Sequence, residues 1–462
     1  METLWAGNAG IMAEANSYNF TAVIDDAKIS GQQWLVLLVS LFTAMFDGYD
    51  TQGIAYVAPV MAKDLGFSPA LLGPIFSSGL LGLTLGAFFF GVLADKVGRK
   101  QAIIWPMAIF GLFSLATPLG HDVTSLVVLR FLAGFGLGGT LPNVTAYVLE
   151  YSPRRRRALL VNSTAAFFAF GSIISGVLAN ILIPTLGWQS TFYIGGIVPL
   201  LAIIVVAIYL PESVRYLLLS GQSMDRVGEI MRRIVPERNF SAGTRFTLEP
   251  QIAGITVKAL FTDGRAYPTT LLWIAFVANL FILTYLVFWL PTLLRQVGQP
   301  LNVAITVTIW YAIGGCVGGL TMGWLADKLG SLPKVLATAY GMAAVTICIA
   351  AFSLTNTPVL LVAMFLTGCC VNGGQGSLNT ISAMFYPTAI RATGIGWALG
   401  VGRIGAVIGP AIGGMLVGAA FAPTNVVLAN VLPAVIGVIA IVLFNLRHAT
   451  HSEAAVAPSA AA

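Results

Sequence analysis

Four ionisable side chains, Asp47, Asp50, Arg130 and Arg403, sit deep inside long apolar runs of this chain. A charged side chain at the centre of a membrane helix costs about 2.5–3.5 kcal/mol on insertion scales, so such residues face a cavity or a partner and mark function. Asp47 and Asp50 are spaced i, i+3 and share one face of a helix. Burial and a nearby arginine push a carboxyl's proton affinity in opposite directions, so a carboxyl whose arginine contact changes takes up and releases a proton. Two carboxyls exceed what one arginine neutralises, which favours titration of one of them. Counted from the ends of their runs near Val57 and Thr124, Asp50 is about seven residues deep and Arg130 about six. At about 1.5 Å per residue, both lie roughly 10 Å below the same surface.

Other polar groups in apolar runs extend this set. Arg403 is flanked by Gly402 and Gly405. It either binds a substrate carboxylate or hydrogen-bonds helix carbonyls between small residues. Asn372, Gln375, Asn379, Ser382 and Tyr386 fall within about 80° on a wheel of about 100° per residue. Of these, Gln375 and Asn379 are the first choice for binding a carboxyl or a ring hydroxyl, with interhelical hydrogen bonding as the alternative. Tyr49, Tyr147, Tyr285, Phe288, Trp289 and Trp397 are candidates for an aromatic slot, because small-molecule pockets combine apolar walls with a few fixed polar groups. Each of them is also an ordinary core or lipid-facing residue.

These residues need membrane helices to hold them. Hydrophobic residues make up 57% of the chain and charged ones 9%, with a mean hydropathy of +0.87. Soluble domains carry about 25% charged residues. Spans of about 20 apolar residues are expected at roughly 33–59, 71–94, 101–120, 124–150, 158–183, 190–210, 269–292, 303–326, 333–354, 357–386, 391–418 and 424–446. Six spans thus lie on each side of a polar stretch. The division expected is a tail 1–32, a six-helix bundle 33–210, a central loop 211–268, a second bundle 269–446 and a tail 447–462. Of the 24 lysines and arginines, all but Lys63, Arg295 and the intramembrane Arg130 and Arg403 fall on the side of both termini. That side is expected to be the cytoplasm, and the Arg154–Arg157 run is then a topology anchor. The first 30 residues lack the basic and apolar regions of a cleaved signal.

An internal repeat ties the two halves together. GVLADKVG at Gly91–Gly98 recurs as GWLADKLG at Gly323–Gly330. A parallel repeat in so apolar a chain is the pattern of a two-bundle membrane carrier. The four cysteines show no metal-ligand spacing and read as small core residues. There is no nucleophile–base set, ATP-binding motif or dinucleotide fingerprint, so the chain is expected not to be an enzyme and to need no cofactor.

Several motifs carry a family resemblance. GVLADKVGRK at Gly91–Lys100 resembles the signature between helices two and three of the major facilitator superfamily, with Gly323–Gly330 as its degenerate second copy. RFLAGFGLG from Arg130 is similar to the superfamily's helix-four motif. PESVR at Pro211–Arg215 resembles the motif that closes helix six in sugar-porter-like members. DGYD at Asp47–Asp50 resembles the Asp-Gly-x-Asp motif of the aromatic acid:proton symporters. Tyr386–Ala398 and the glycines around Arg403 are similar to that family as well.

The resemblance implies an all-α integral membrane protein of twelve transmembrane helices, arranged as two six-helix bundles related by a pseudo-two-fold axis. It implies proton-coupled uptake of aromatic carboxylates such as 4-hydroxybenzoate, benzoate or protocatechuate into bacteria. The expected setting is the inner membrane, with the chain a monomer and the proton its coupling ion. Helices one and four adjoin in this superfamily, which makes an Asp50–Arg130 pair feasible, with Asp47 as the second proton-coupling carboxyl. Asp95, Arg99, Glu150, the Arg154–Arg157 run, Glu212 and Arg215, with Asp327 in the second copy, are implied to form a cytoplasmic gate. Carriage of sugars or of other organic anions (muconate, hydroxyphenylpropionates) and non-transporting sensing of aromatic acids are the competing readings.

Overall fold

The computed structural model describes residues 17–221, 224–235, 240, 244–248 and 257–456. Eleven helices among them are long and apolar enough to cross a membrane; Gly31–Asp64, bent by 99° from the short helix Phe20–Asp26, makes the twelfth. In order the spans are Gly31–Asp64, Leu72–Val97, Gln101–Ala116, Val123–Tyr151, Arg154–Leu186, Gln189–Tyr209, Ala266–Gln296, Leu301–Leu329, Leu332–Phe352, Thr357–Phe385, Arg391–Gly418 and a last span in two pieces. They are called spans one to twelve below. Local chemistry marks their ends. Ser30 and Gln33 form a capping box at the start of span one. Asp122 caps span four, and hydrogen bonds from Ser125 hold its carboxyl below the usual range. Both copies of the repeat end on a glycine of positive φ, Gly98 at 97° and Gly330 at 65°. The repeat is therefore a helix-stopping turn. At Gly98 a Cβ would also lie 2.5 Å from the carboxylate of Glu212.

Several spans exceed their expected bounds. Span one extends to Asp64, and span five begins at Arg154, so the arginine run is helical from its first residue. Span twelve is broken into Pro423–Leu428 and Val431–Val456. Pro433 has no N–H to donate to residue 429, so the break falls where that bond is missing. Residues 457–462 of the expected tail lie outside the described residues.

The two halves pack alike. Span two lies on span four, one on five, three on four and three on six; the same pairings recur as eight on ten, seven on eleven, nine on ten and nine on twelve. Small residues let the backbones meet. A Cβ on Gly134 would lie 2.0 Å from the carbonyl of Gly79, and one on Gly368 2.0 Å from that of Tyr311.

The halves join at the arginine-poor end. One apolar cluster there merges Ile54–Ala62 of span one, Phe76 of span two and Tyr285–Leu290 of span seven. The Phe76 ring packs tilted against Phe288 and edge-on against Trp289, with centroids 4.9 and 5.8 Å apart. At the arginine-rich end the apolar clusters of the two halves are separate. The fold is thus closed at one end of the cleft and parted at the other.

The expected tail 1–32 is built into the fold from Ser17. Strand β1 (Ser17–Asn19) pairs in parallel with β2 (Arg245–Thr247) from the central loop. Phe20, Val23 and Ile24 share a cluster with Val214, Leu217, Val227 and Met231. Tyr18, Phe240 and Phe246 form an aromatic trio, and Asp25 pairs with Arg154 and Arg157. Phe246→Ala is expected to destabilise this strap locally by about 3 kcal/mol. Amide exchange should then quicken at residues 17–26 while the spans keep their protection.

Candidate functional site

Asp50 is built into the first bundle by four spans. Its Oδ2 lies 3.6 Å from Nη1 of Arg130 on span four, and both side chains are buried. Ser114 of span three donates to Asp50 Oδ1. Arg130 Nη2 donates to Thr117 Oγ1 and to the Phe113 carbonyl. The guanidinium lies 4.8 Å over the Phe192 ring of span six. Gly195 of span six is needed for this approach, since a Cβ there would sit 2.9 Å from Asp50 Oδ1. Asp50 Oδ2 and Arg130 Nε have no hydrogen-bond partner among the described residues. A cavity of about 30 Å³ adjoins them, under Phe76 and Phe288. That is about one water's share of liquid volume, so a benzene ring does not fit there while this end is closed.

Asp47 lies one turn away and is buried. Its Oδ1 accepts from Thr51 Oγ1 at 3.5 Å. It also interacts electrostatically with Arg403, which comes from the other bundle. Arg403 Nη1 crosses to donate to the Leu83 carbonyl of span two at 3.1 Å. Asp50 is thus paired with an arginine of its own bundle, while Asp47 lies within electrostatic range of an arginine of the other.

The second bundle contributes amides. Asn279 Nδ2 of span seven donates to Gln375 Oε1 of span ten at 2.8 Å. Asn279 Oδ1, Gln375 Nε2, Asn372 Oδ1 and Asn379 Oδ1 are buried without hydrogen-bond partners among the described residues. Asn372 packs against Gly315 of span eight. The expected stripe divides here. Asn372, Gln375 and Asn379 are half-buried on one face, while Ser382 and Tyr386 turn into the bundle. Tyr386 OH meets Thr269 Oγ1 at 3.2 Å.

Most of the aromatic candidates are placed in helix packing. Tyr147 OH donates to the Pro211 carbonyl at 2.5 Å, Tyr285 OH to that of Val426 at 2.7 Å and Trp289 Nε1 to that of Pro410 at 3.0 Å. All three are fully buried. Phe288 belongs to the closed end. Tyr49 OH reaches the Thr191 carbonyl at 3.3 Å beside Asp50. Trp397 stacks on Trp273 and is partly exposed.

At the arginine-rich end, Arg99 bridges Asp95 at 3.3 Å and Glu150 at 3.4 Å. Ser213 Oγ donates to Glu150 Oε2 at 2.5 Å. Glu212 Oε1 accepts from the backbone N–H of Lys100 at 3.1 Å. Arg215 acts electrostatically on Glu150. Asp327 is exposed, and its copy of the repeat has Ser331 and Leu332 where the first has Arg99 and Lys100. These bonds therefore tie the first bundle to itself and leave Asp327 apart.

Ser114, Thr117, Phe192 and Asn279 were not expected from the sequence. The first three are ordinary members of apolar spans and carry no pattern. Asn279 did offer a signal, as an isolated amide in the middle of a long apolar run.

A family model of the Major Facilitator Superfamily matches residues 40–310 and 296–461. The 4-hydroxybenzoate transporter PcaK of Acinetobacter baylyi is 36% identical over 96% of this chain and 97% of its own. A gallate transporter of Pseudomonas putida is 36% identical over 85% of this chain and 87% of its own. The benzoate transport protein of Acinetobacter baylyi is 31% identical, covering 94% of each. Among solved structures, a bacterial homologue of the human lysosomal transporter Spinster superposes with a TM-score of 0.69 at 17% identity, covering 90% of this chain and 97% of that one.

Proposed function

The chain belongs to the major facilitator superfamily, and from that premise and its intramembrane charges we propose that it carries aromatic carboxylates across the membrane together with protons. The substrates proposed are 4-hydroxybenzoate, benzoate, protocatechuate and close relatives, the class named in its relatives. The observation that carries the reading is the buried Asp50–Arg130 pair, with a second buried carboxyl, Asp47, one turn away. By the positive-inside rule the arginine-rich end faces the cytoplasm, with both termini, and the setting is a bacterial inner membrane. The fold described is then open to the cytoplasm and closed outside.

In this scheme Asp50 holds the proton when its contact with Arg130 loosens and gives it up when the contact re-forms. Arg403 receives the substrate carboxylate. A guanidinium has five N–H donors, and the Leu83 bond occupies one. The substrate's negative charge takes the place that Asp47 occupies beside Arg403, which links acid binding to the second carboxyl. Gln375 and Asn379 bind the far end of the ring. Tyr147, Tyr285 and Trp289 take no part, because their polar tips already bond backbone carbonyls. Asp95, Arg99, Glu150, Glu212 and Arg215 serve the cytoplasmic gate by stiffening the first bundle against which the second rocks. Asp327 meets that bundle only when the cytoplasmic side closes.

Uptake of labelled 4-hydroxybenzoate, benzoate and protocatechuate into proteoliposomes, with and without an inward proton gradient, tests this. Gradient-driven accumulation supports it. If none of the three accumulates, the aromatic-acid reading fails, and sugars and non-aromatic acids come next. Arg403→Lys is expected to raise KM for the acid about tenfold, because an ammonium cannot replace the bidentate fork. Unchanged affinity in that variant would reduce Arg403 to a residue that braces helix carbonyls.

A further inference from the structure

The two bundles offer the cleft different chemistry. The first presents Asp47, Asp50 and Arg130, and the second presents Arg403 and neutral amides from spans seven and ten. Asp47, Asn279 and Gln375 all stand near the middle of their helices, Gly31–Asp64, Ala266–Gln296 and Thr357–Phe385. An acid with one charged end and one neutral end matches this division. The neutral end is where the amides can discriminate.

The Asn279–Gln375 bond uses one donor and one acceptor. What remains is the Gln375 NH2 and the Asn279 carbonyl, both buried and unpartnered. Rotating both amides by 180° exchanges their roles but still leaves one donor and one acceptor. The conclusion therefore does not depend on which amide atom is nitrogen. Asn379 Oδ1, one turn further along the same face, is a second acceptor without a partner among the described residues. A carboxylate only accepts hydrogen bonds, and an aromatic C–H edge neither gives nor takes a strong one. A phenolic hydroxyl does both. Leaving a buried polar group unmatched is disfavoured more than a matched bond is favoured. A site built to bond a hydroxyl accordingly rejects an analogue that lacks it.

From this we infer that Gln375 and Asn379 form a subsite for a ring hydroxyl, so that the carrier selects hydroxylated aromatic acids over unsubstituted ones. Asn279, fully buried behind Gln375, is the positioning residue that sets the glutamine's amide. The inference rests on the reading of the chain as an aromatic-acid carrier and deepens it.

The test compares KM for three acids in proteoliposomes under a fixed proton gradient. These are 4-hydroxybenzoate, which donates and accepts, 4-fluorobenzoate, which cannot donate, and benzoate. With the unaltered protein, KM for 4-hydroxybenzoate is expected to be about tenfold below that of the other two, as one matched hydrogen bond gives. In Gln375→Met the three values should converge. Asn279→Leu should raise KM for 4-hydroxybenzoate alone and leave kcat for benzoate unchanged, a split that general loosening of the bundle would not produce. Equal KM for the three acids in the unaltered protein overturns the inference. So does a Gln375→Met variant that weakens all three alike or keeps the preference. In these cases transport persists, so the carrier reading survives. Absence of uptake for all three overturns both.

Discussion

Asp50→Asn is expected to abolish gradient-driven accumulation of substrate, with the coupled rate falling about 100-fold, while exchange of labelled for unlabelled acid persists. Asparagine has nearly the shape of aspartate but takes up no proton. It also leaves Arg130 buried without a counter-charge, and breaking such a pair costs about 3–5 kcal/mol. Thr117, the Phe113 carbonyl and the Phe192 ring still hold the guanidinium, so the bundle keeps its other contacts. Exchange needs only that the loaded carrier reorient. It therefore separates a lost proton step from a lost fold. A pair that merely fixed packing would impair exchange and accumulation together. If Asp50→Asn and Asp47→Asn each retained full proton-driven accumulation, neither carboxyl would couple, and the mechanism would fall.

The second large effect is expected at the closed end. Spans two and eleven meet there through glycines of opposite bundles. A Cβ on Gly414 would sit 2.8 Å from the carbonyl of Ala70 and 2.9 Å from Cα of Gly73. Those obstacles are backbone and cannot swing aside. Ser77 Oγ reinforces the seam by donating to the Val407 carbonyl at 2.8 Å. The clash exists only when the end is shut. With the orientation proposed above, Gly414→Val should therefore destabilise the closed-outside state and hold the carrier open to the outside. Transport should fall at least about tenfold, since overpacking costs about 1–3 kcal/mol. A thiol probe placed at the outer end of span eleven should label faster in this variant. Gly414→Ala should show the same changes to a smaller degree. Unaltered uptake and unaltered labelling would mean that this seam is not the outer closure.

The Asp50–Arg130 pair was legible from depth together with the adjacency of helices one and four that the family resemblance implies. Residue count along two straight helices fixes height in a bilayer, and both residues came out at one level. The surroundings of the pair were not legible. Ser114, Thr117 and Phe192 belong to spans three and six, where nothing in their spacing marks them. Their role arises because those spans pack behind span four. The polar stripe of span ten was half legible. Its periodicity is correct, yet Ser382 and Tyr386 are fully buried, Tyr386 against Thr269 of span seven, while Asn372, Gln375 and Asn379 stay half-buried. A helical wheel gives direction and says nothing of which neighbour covers each turn. Asn279 entered the site only because span seven lays it against Gln375. The strap of residues 17–26 was read as a tail because seven residues of helix and three of strand are too short to announce themselves.

What the sequence determined by itself is what the bilayer enforces locally. Lipid offers no hydrogen bonds, so an apolar run of sufficient length becomes a helix wherever it lies. Span number, the doubled architecture and the rarity of intramembrane charge are therefore written in composition and repeat. Tertiary structure alone decided which arginine each aspartate faces, which aromatic tips already bond a carbonyl, and which end of the cleft is shut. Those depend on lateral neighbours and on how closely two backbones approach. Such contacts join residues hundreds of positions apart, as Arg403 and Leu83 do, and no local period records them.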